Sequence, residues 1–183
     1  MLHPARPLPQ DLRTDRLLLR RPGPDDADAC FAIEGDPRTA RHRPGGPLSR
    51  SQSDASLIRD CADWSRDGVG YWIVEQDGQV VGRTGQRLVD VPDDLLPGVA
   101  AERLLNTYYR FAPVTWGTGV ALEAARVAID ATLTAGLPYP VVAITTPDNE
   151  PSQRLARRLG MRFHRQVPVP GQPDSVELRF PGR

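Results

Sequence analysis

The sequence predicts a mixed α/β (α+β) domain, and three observations carry that expectation. Short β-rich stretches stand before, between and after stretches of helical period. Glycine and proline clusters separate almost all of them, and Asp77-Gly78 joins two alternating apolar runs as a hairpin turn does. Counting the stretches gives six to seven strands and about four helices. A chain of 183 residues is long enough for one well-cored domain and short for two, so a single domain over 1–183 is expected.

Residues 1–11 are punctuated by prolines and read as a loose lead-in. Thr14 to Pro22 reads as the first strand. Pro24-Asp25-Asp26 then starts a helix through Ala27, Ala29, Cys30, Phe31 and Ile33, with its acids at the positive helix end. Gly35 to Pro47 holds too many breakers for a long element and is the most basic stretch of the chain. A second helix is expected from near Ser51 or Ser53-Asp54, through Leu57, Ile58, Cys61 and Trp64, to Gly68. Tyr71 to Val89 reads as the two hairpin strands, and Asp90 to Pro97 as a polar loop. Glu102 to Phe111 reads as the central strand. It flows through a glycine turn into a helix from about Gly119 to Ala135, on which Val120, Ala124, Val127, Ala128, Ala131 and Leu133 face the sheet. The β-branched run Val141 to Thr146 ends at Pro147, and Asp148 or Asn149 caps a short helix that Gly160 stops. Phe163 to Val169 and Ser175 to Phe180 read as a final antiparallel pair around Pro170 to Asp174.

Charge narrows the function classes. Basic and acidic residues number 23 each, so nothing suggests general attraction to nucleic acid or an anionic membrane. All 23 basic residues are arginines, which cannot act as proton acceptors. Cys30 and Cys61 sit in helical stretches without C-x-x-C or histidine spacing, which argues for buried thiols in a reducing compartment and against a metal. The first residues lack the apolar core of a signal peptide and no run approaches the length of a membrane span, so a cytoplasmic protein is expected.

The stretch with most chemical content is Tyr108 to Ala124, a strand passing through Gly117 and Gly119 into a helix. The first amides of a helix have no intrahelical partner, and glycines remove the side chains that would keep an anion away. Alone, such a turn is either a tight corner or a phosphate seat. A Walker loop is disfavoured because no G-K-S or G-K-T follows, and a Rossmann fingerprint fails because Leu122 stands where its third glycine belongs.

A second segment narrows the reading. W-G-x-G at 116–119, Asn149-x-x-Ser152 before a helix, Leu159-Gly160-Met161, and the opening Thr14-Asp15-Arg16-Leu17-x-Leu19-Arg20 together resemble the GNAT family of acetyl-CoA-dependent N-acetyltransferases, most closely its RimJ/RimL-like branch. The resemblance runs from about Leu12 to Phe180. It implies a mostly antiparallel sheet and direct acetyl transfer from acetyl-CoA to a primary amine, either a protein N-terminus or a small amine. It also implies a cofactor seat at Phe111, Ala112, Val114, Trp116, Gly117, Thr118, Gly119, Val120 and Ala121, with Asn149 and Ser152 beside the pantetheine arm. Val114 departs from the family's Gln or Arg, which removes a side-chain phosphate contact and leaves the backbone cradle.

Many members use a tyrosine where this chain has Ala156, so Ser152 is the candidate proton donor to the leaving thiolate, its other reading being an ordinary first-turn serine. The base is not singled out: Glu102 is the first candidate, with Glu177, His164 and Asp174 beside it, and water is an alternative carrier. Arg41, in the basic loop, and Trp72 and Tyr109, on strands, are candidate acceptor contacts, while aromatics at strand positions also serve as core. A catalytically silent acyl-CoA-binding module of the same fold is the competing function, and the resemblance leaves a homodimer open.

Overall fold

The computed structural model describes residues 6–91, 102–167 and 175–181. Twelve regular elements follow in chain order: β1 (Asp11–Arg13), β2 (Leu17–Arg20), α1 (Ala27–Glu34), α2 (Arg50–Asp67), β3 (Tyr71–Gln76), β4 (Gln79–Val91), β5 (Glu102–Phe111), α3 (Val120–Ala135), β6 (Val141–Thr145), α4 (Glu150–Arg158), β7 (Arg162–Val167) and β8 (Ser175–Arg179). The mixed α/β expectation holds, with eight strands in the order β1-β2-β3-β4-β5-β6-β8-β7. Among the described registers β5 with β6 is parallel, and β1·β2, β2·β3, β3·β4, β6·β8 and β7·β8 are antiparallel.

Two compact units share this chain. The first comprises residues 1–86 and 108–137, the second 87–107 and 138–183. In the first unit, Leu19 of β2, Trp72, Ile73 and Val74 of β3, and Val120, Ala124 and Ala128 of α3 are buried. Cys30, Leu57 and Ile73 make one apolar cluster there. In the second, Leu104 of β5 packs with Val142 of β6, joined by Val89 and Ile144.

Two boundaries and one buried face differ from the sequence reading. Asp11–Arg13 is a strand rather than loose lead-in: Thr14 donates its amide to the Leu17 carbonyl at 3.0 Å and accepts the Leu17 amide on its hydroxyl at 3.0 Å, turning the chain into a short hairpin. Helix α2 begins earlier than expected because Ser49 and Gln52 form a reciprocal capping box, and it ends on Gly68 in the left-handed region. On α3 the buried stripe is Val120, Ala124, Ala125, Ala128, Ile129, Thr132 and Ala135, so Val127, Ala131 and Leu133 sit at its margin. The expected loop residues 92–97 and 170–174 lie outside the described residues. The Asp77-Gly78 turn stands as expected, both residues having positive φ (51° and 73°).

At Gly82, strand β4 lies hard against the end of β5. A Cβ there would lie 2.3 Å from Phe111 Cδ1 and 2.6 Å from the Arg110 carbonyl oxygen, and backbone cannot swing aside. Gly82→Ala is therefore expected to destabilise the protein by about 1–3 kcal/mol. A urea midpoint equal to the parent's would show that this approach is not tight.

Candidate active site

Strand β5 ends at Phe111, and the next eight residues are held by their own hydrogen bonds. Ala112 donates its amide to the Val81 carbonyl of β4 at 2.8 Å, Thr115 Oγ1 donates to the Ala112 carbonyl at 2.9 Å, and Thr118 Oγ1 donates to the Thr115 carbonyl at 2.7 Å. The Trp116 indole N–H donates to the Phe111 carbonyl at 3.0 Å, which fixes a ring that stays 53% exposed. Gly117 and Gly119 have φ of 78° and 84°, backbone that a side chain adopts at a cost, and nothing lies within 4 Å of a Cβ on Gly117.

These torsions decide which amides face outward. The Trp116 and Thr118 amides are used inside the turn, by the carbonyls of Pro113 and Thr115. Those of Gly117 and Gly119 have no partner among the described residues, and the first-turn amides of α3 follow them. Gly119 is the N-cap of a 16-residue helix and offers no capping side chain. The result is an exposed set of donors at a positive helix end, suited to an anion.

The opening motif clamps this turn. Arg16 Nε donates to Glu123 Oε2 at 2.7 Å, Arg16 Nη2 to the Thr118 carbonyl at 3.2 Å, and Thr14 Oγ1 to Glu123 Oε1 at 2.6 Å. Partial burial would raise the Glu123 pKa, but Thr14 and Arg16 hold it below the ordinary glutamate value. Glu123, an acid in the first turn of α3 and so favourable to the helix dipole, is thereby also the anchor for Arg16 and Thr14. The T-D-R-L signal was visible, yet its target lies more than 100 residues along the chain.

A second polar feature of the same unit centres on Glu34, the last residue of α1. Arg83 donates to Glu34 Oε1 through Nη2 at 2.6 Å and Nε at 3.0 Å, and also engages Asp60 and Ser56. Arg43 pairs with Glu34 Oε2, and the Arg110 Nε lies 3.4 Å from the same oxygen. Tyr108 donates its hydroxyl to Glu34 Oε1 at 2.7 Å and accepts from Arg110 Nε at 2.7 Å, its ring stacked on Tyr71. Burial alone would raise the Glu34 pKa, yet Arg83, Arg110 and Arg43 hold it at about 2. Such a carboxylate is a poor proton acceptor at neutral pH. Burial also pushes the Cys30 thiol up to about 11, so it stays protonated.

In the second unit, β6 runs into Thr146-Pro147-Asp148 and Asn149 caps α4, its Oδ1 accepting the Ser152 amide at 3.2 Å. Gln153 Nε2 adds a bond to the Pro147 carbonyl at 2.9 Å, and Thr146 Oγ1 is buried with no partner among the described residues. Ser152 is half-buried in the first turn.

Comparison with known proteins decides what this arrangement belongs to. Residues 16–162 match the model of the family described as "Acetyltransferase (GNAT) domain". The chain belongs to the GNAT acetyltransferase family. The uncharacterized protein YkkB of Bacillus subtilis is 27% identical over 176 residues, covering 92% of this chain and 94% of that one. The acetyltransferase structure from Agrobacterium tumefaciens is 26% identical, covers 93% of each chain and superposes with a TM-score of 0.74. The self-immunity acetyltransferase MccE, solved with acetyl-CoA and AMP, shares the fold at 14% identity and a TM-score of 0.73. GNAT acetyltransferases use acetyl-CoA.

The remaining expected GNAT residues are distributed unevenly. Val114 is 80% exposed, and Ala112, Val120 and Ala121 flank the turn in sequence. Ala156 is fully buried, a core position rather than a site position. Trp72 is also fully buried, edge-on to Trp64 with ring centroids 4.7 Å apart, so its ring offers no surface to an acceptor. Tyr109 is half-buried, and Arg41 is exposed with no partner among the described residues.

Of the base candidates, the Glu102 side chain and Asp174 lie outside the described residues, and His164 is exposed on β7. Glu177 is fully buried between Arg165 at 3.0 Å and Arg179 at 2.9 Å, held as a structural ion pair. Among the described residues no group of three or more His, Cys, Asp or Glu gathers as a metal site, and no helix is long and apolar enough to cross a membrane.

Proposed function

We propose that this GNAT chain is an N-acetyltransferase of the RimJ/RimL-like branch, moving acetyl from acetyl-CoA directly to a primary amine, a protein N-terminus or a small amine. The observation that carries the reading is the pair of left-handed glycines whose unpartnered amides open beside the first turn of α3. Those amides take the pyrophosphate, and the backbone of Tyr109 to Pro113 pairs with the amides of the pantetheine arm in strand fashion.

The chemistry then needs few side chains. The neutral amine nitrogen attacks the thioester carbon, the C–S bond breaks, the sulfur takes a proton and the new ammonium loses one. Ser152 is the proposed proton donor to sulfur, and Asn149 a pantetheine contact through the amide nitrogen that its cap role leaves available. Because Glu34 and Glu177 are committed to arginines, the amine's proton leaves through water or through Glu102.

Calorimetry with CoA and thiol release over an amine panel test this. Binding with turnover is expected, and Ser152→Ala should lower kcat by about 100-fold or more with acetyl-CoA affinity kept. No CoA binding at near-millimolar ligand overturns the proposal. The buried Ala156, where many relatives use tyrosine, motivates the second reading of a silent acyl-CoA-binding module. Tight CoA binding without turnover of any amine, unchanged in Ser152→Ala, would select it.

A further inference from the structure

The Glu34 network holds more cation than anion. Three guanidiniums, of Arg43, Arg83 and Arg110, face two carboxylates, of Glu34 and Asp60. Arg83 is consumed by Glu34, Asp60 and Ser56. Arg110 is not: its Nη1 reaches the Thr39 carbonyl and its Nε reaches Tyr108, while Nη2 takes no hydrogen bond among the described residues. Arg43 likewise spends its two Nη groups on Glu34 and Tyr108 and leaves Nε unused. Their side chains are 15% and 16% exposed, so each guanidinium-bearing chain is largely out of water without being sealed off. Preformed, half-buried guanidinium donors suit an oxyanion better than surface arginines do, because their side-chain entropy is already spent and water competes less.

Placement assigns them to the reaction. Arg110 is the penultimate residue of β5, and β5 leads through a single turn into the glycine seat. Its Nη1 bond to Thr39 ties the loop of residues 35–47 to that strand end, and the same loop carries Arg41, exposed and unpaired among the described residues. We propose that the acceptor amine carries an oxyanion, a carboxylate or phosphate group, which Arg110 and Arg43 bind and toward which Arg41 steers it. This rests on the acetyl-transfer reading above. A neutral or cationic acceptor would leave the positive excess unanswered.

Matched acceptors test it: an amino acid against its amide, 2-aminoethyl phosphate against 2-methoxyethylamine, and peptides starting Ser-Glu-Glu against Ser-Gln-Gln. Rates are compared at equal concentrations of neutral amine. The anionic member is expected to have a kcat/KM about 10- to 100-fold higher in at least one pair, the pair identifying the oxyanion's source. In Arg110→Gln that ratio falls towards one while the Kd for CoA, by calorimetry, stays as in the parent. Arg41→Gln, on an exposed and unpaired residue, keeps the test available if Arg110→Gln does not fold. It should lower the anionic rate roughly two- to five-fold at low salt and have no effect at high salt.

Turnover with no preference in any pair overturns the inference and leaves the acetyltransferase reading standing. An Arg110→Gln protein that loses CoA affinity and keeps its acceptor ratio also overturns it, since the arginine then serves the nucleotide. Absence of both CoA binding and turnover removes the underlying reading instead.

Discussion

Glu34→Ala is expected to destabilise the protein by about 3–5 kcal/mol, enough to leave a marginal domain largely unfolded. The carboxylate is 1% exposed and is the shared anion for Arg83, Arg43 and Arg110, so its removal strands three guanidiniums in a poorly solvated place. Acid should mimic part of the loss. The folded pKa of about 2 lies below the ordinary glutamate value, so ionised Glu34 stabilises the fold at pH values above that ordinary value. The contribution, on the order of 3 kcal/mol, is lost as pH falls from about 4.5 towards about 2. Urea titrations of the parent and of Glu34→Gln at pH 7, 4 and 3 measure both effects. Glu34→Gln keeps the shape and removes the charge, so its midpoint should be lower than the parent's at pH 7 and flatter in pH over that window. Equal midpoints at pH 7 would falsify the central role given to this carboxylate.

Gly117→Val is expected to weaken CoA binding by at least about 100-fold, because each hydrogen bond to a charged group contributes about 1.5–3 kcal/mol and the branched side chain covers two donors. Open space surrounds a Cβ at this position, so packing does not oppose the change, and the side chain projects from a turn that is otherwise exposed. Its φ of 78° does oppose it, at a cost of about 1–2 kcal/mol. Gly78→Val is the matched control. Gly78 has a φ of 73°, equally open space, and a place in the β3–β4 hairpin turn. Both variants should lose similar stability, and only the first should lose CoA. Equal CoA affinity in the two proteins would remove the glycine turn from the nucleotide site.

What sequence reasoning reached, and what it missed, follow from the range of the interactions concerned. Gly117 and Gly119, the Asn149 cap and the Gly160 stop were legible because each depends on torsions or bonds within four residues. The Asp77-Gly78 hairpin was legible for the same reason. The strand Asp11–Arg13 was not, since three residues carry no period and prolines nearby point to a loop. Glu34 carries no local signature, because its partners Arg83 and Tyr108 are 49 and 74 residues away. Trp72 shows the reverse error: a strand aromatic fits a pocket wall and a core equally well, and only burial separates them.

Building this network from arginine alone has a consequence for enzymology. Guanidinium does not titrate in water, burial lifts the Tyr108 hydroxyl above its usual value, and Glu34 takes up a proton only in strong acid. Glu34, Tyr108 and the three arginines therefore keep one charge state from mildly acidic to neutral solution. With the amine acceptor proposed above, a rate that climbs with pH across that range reports groups outside this cluster, the substrate's own ammonium among them.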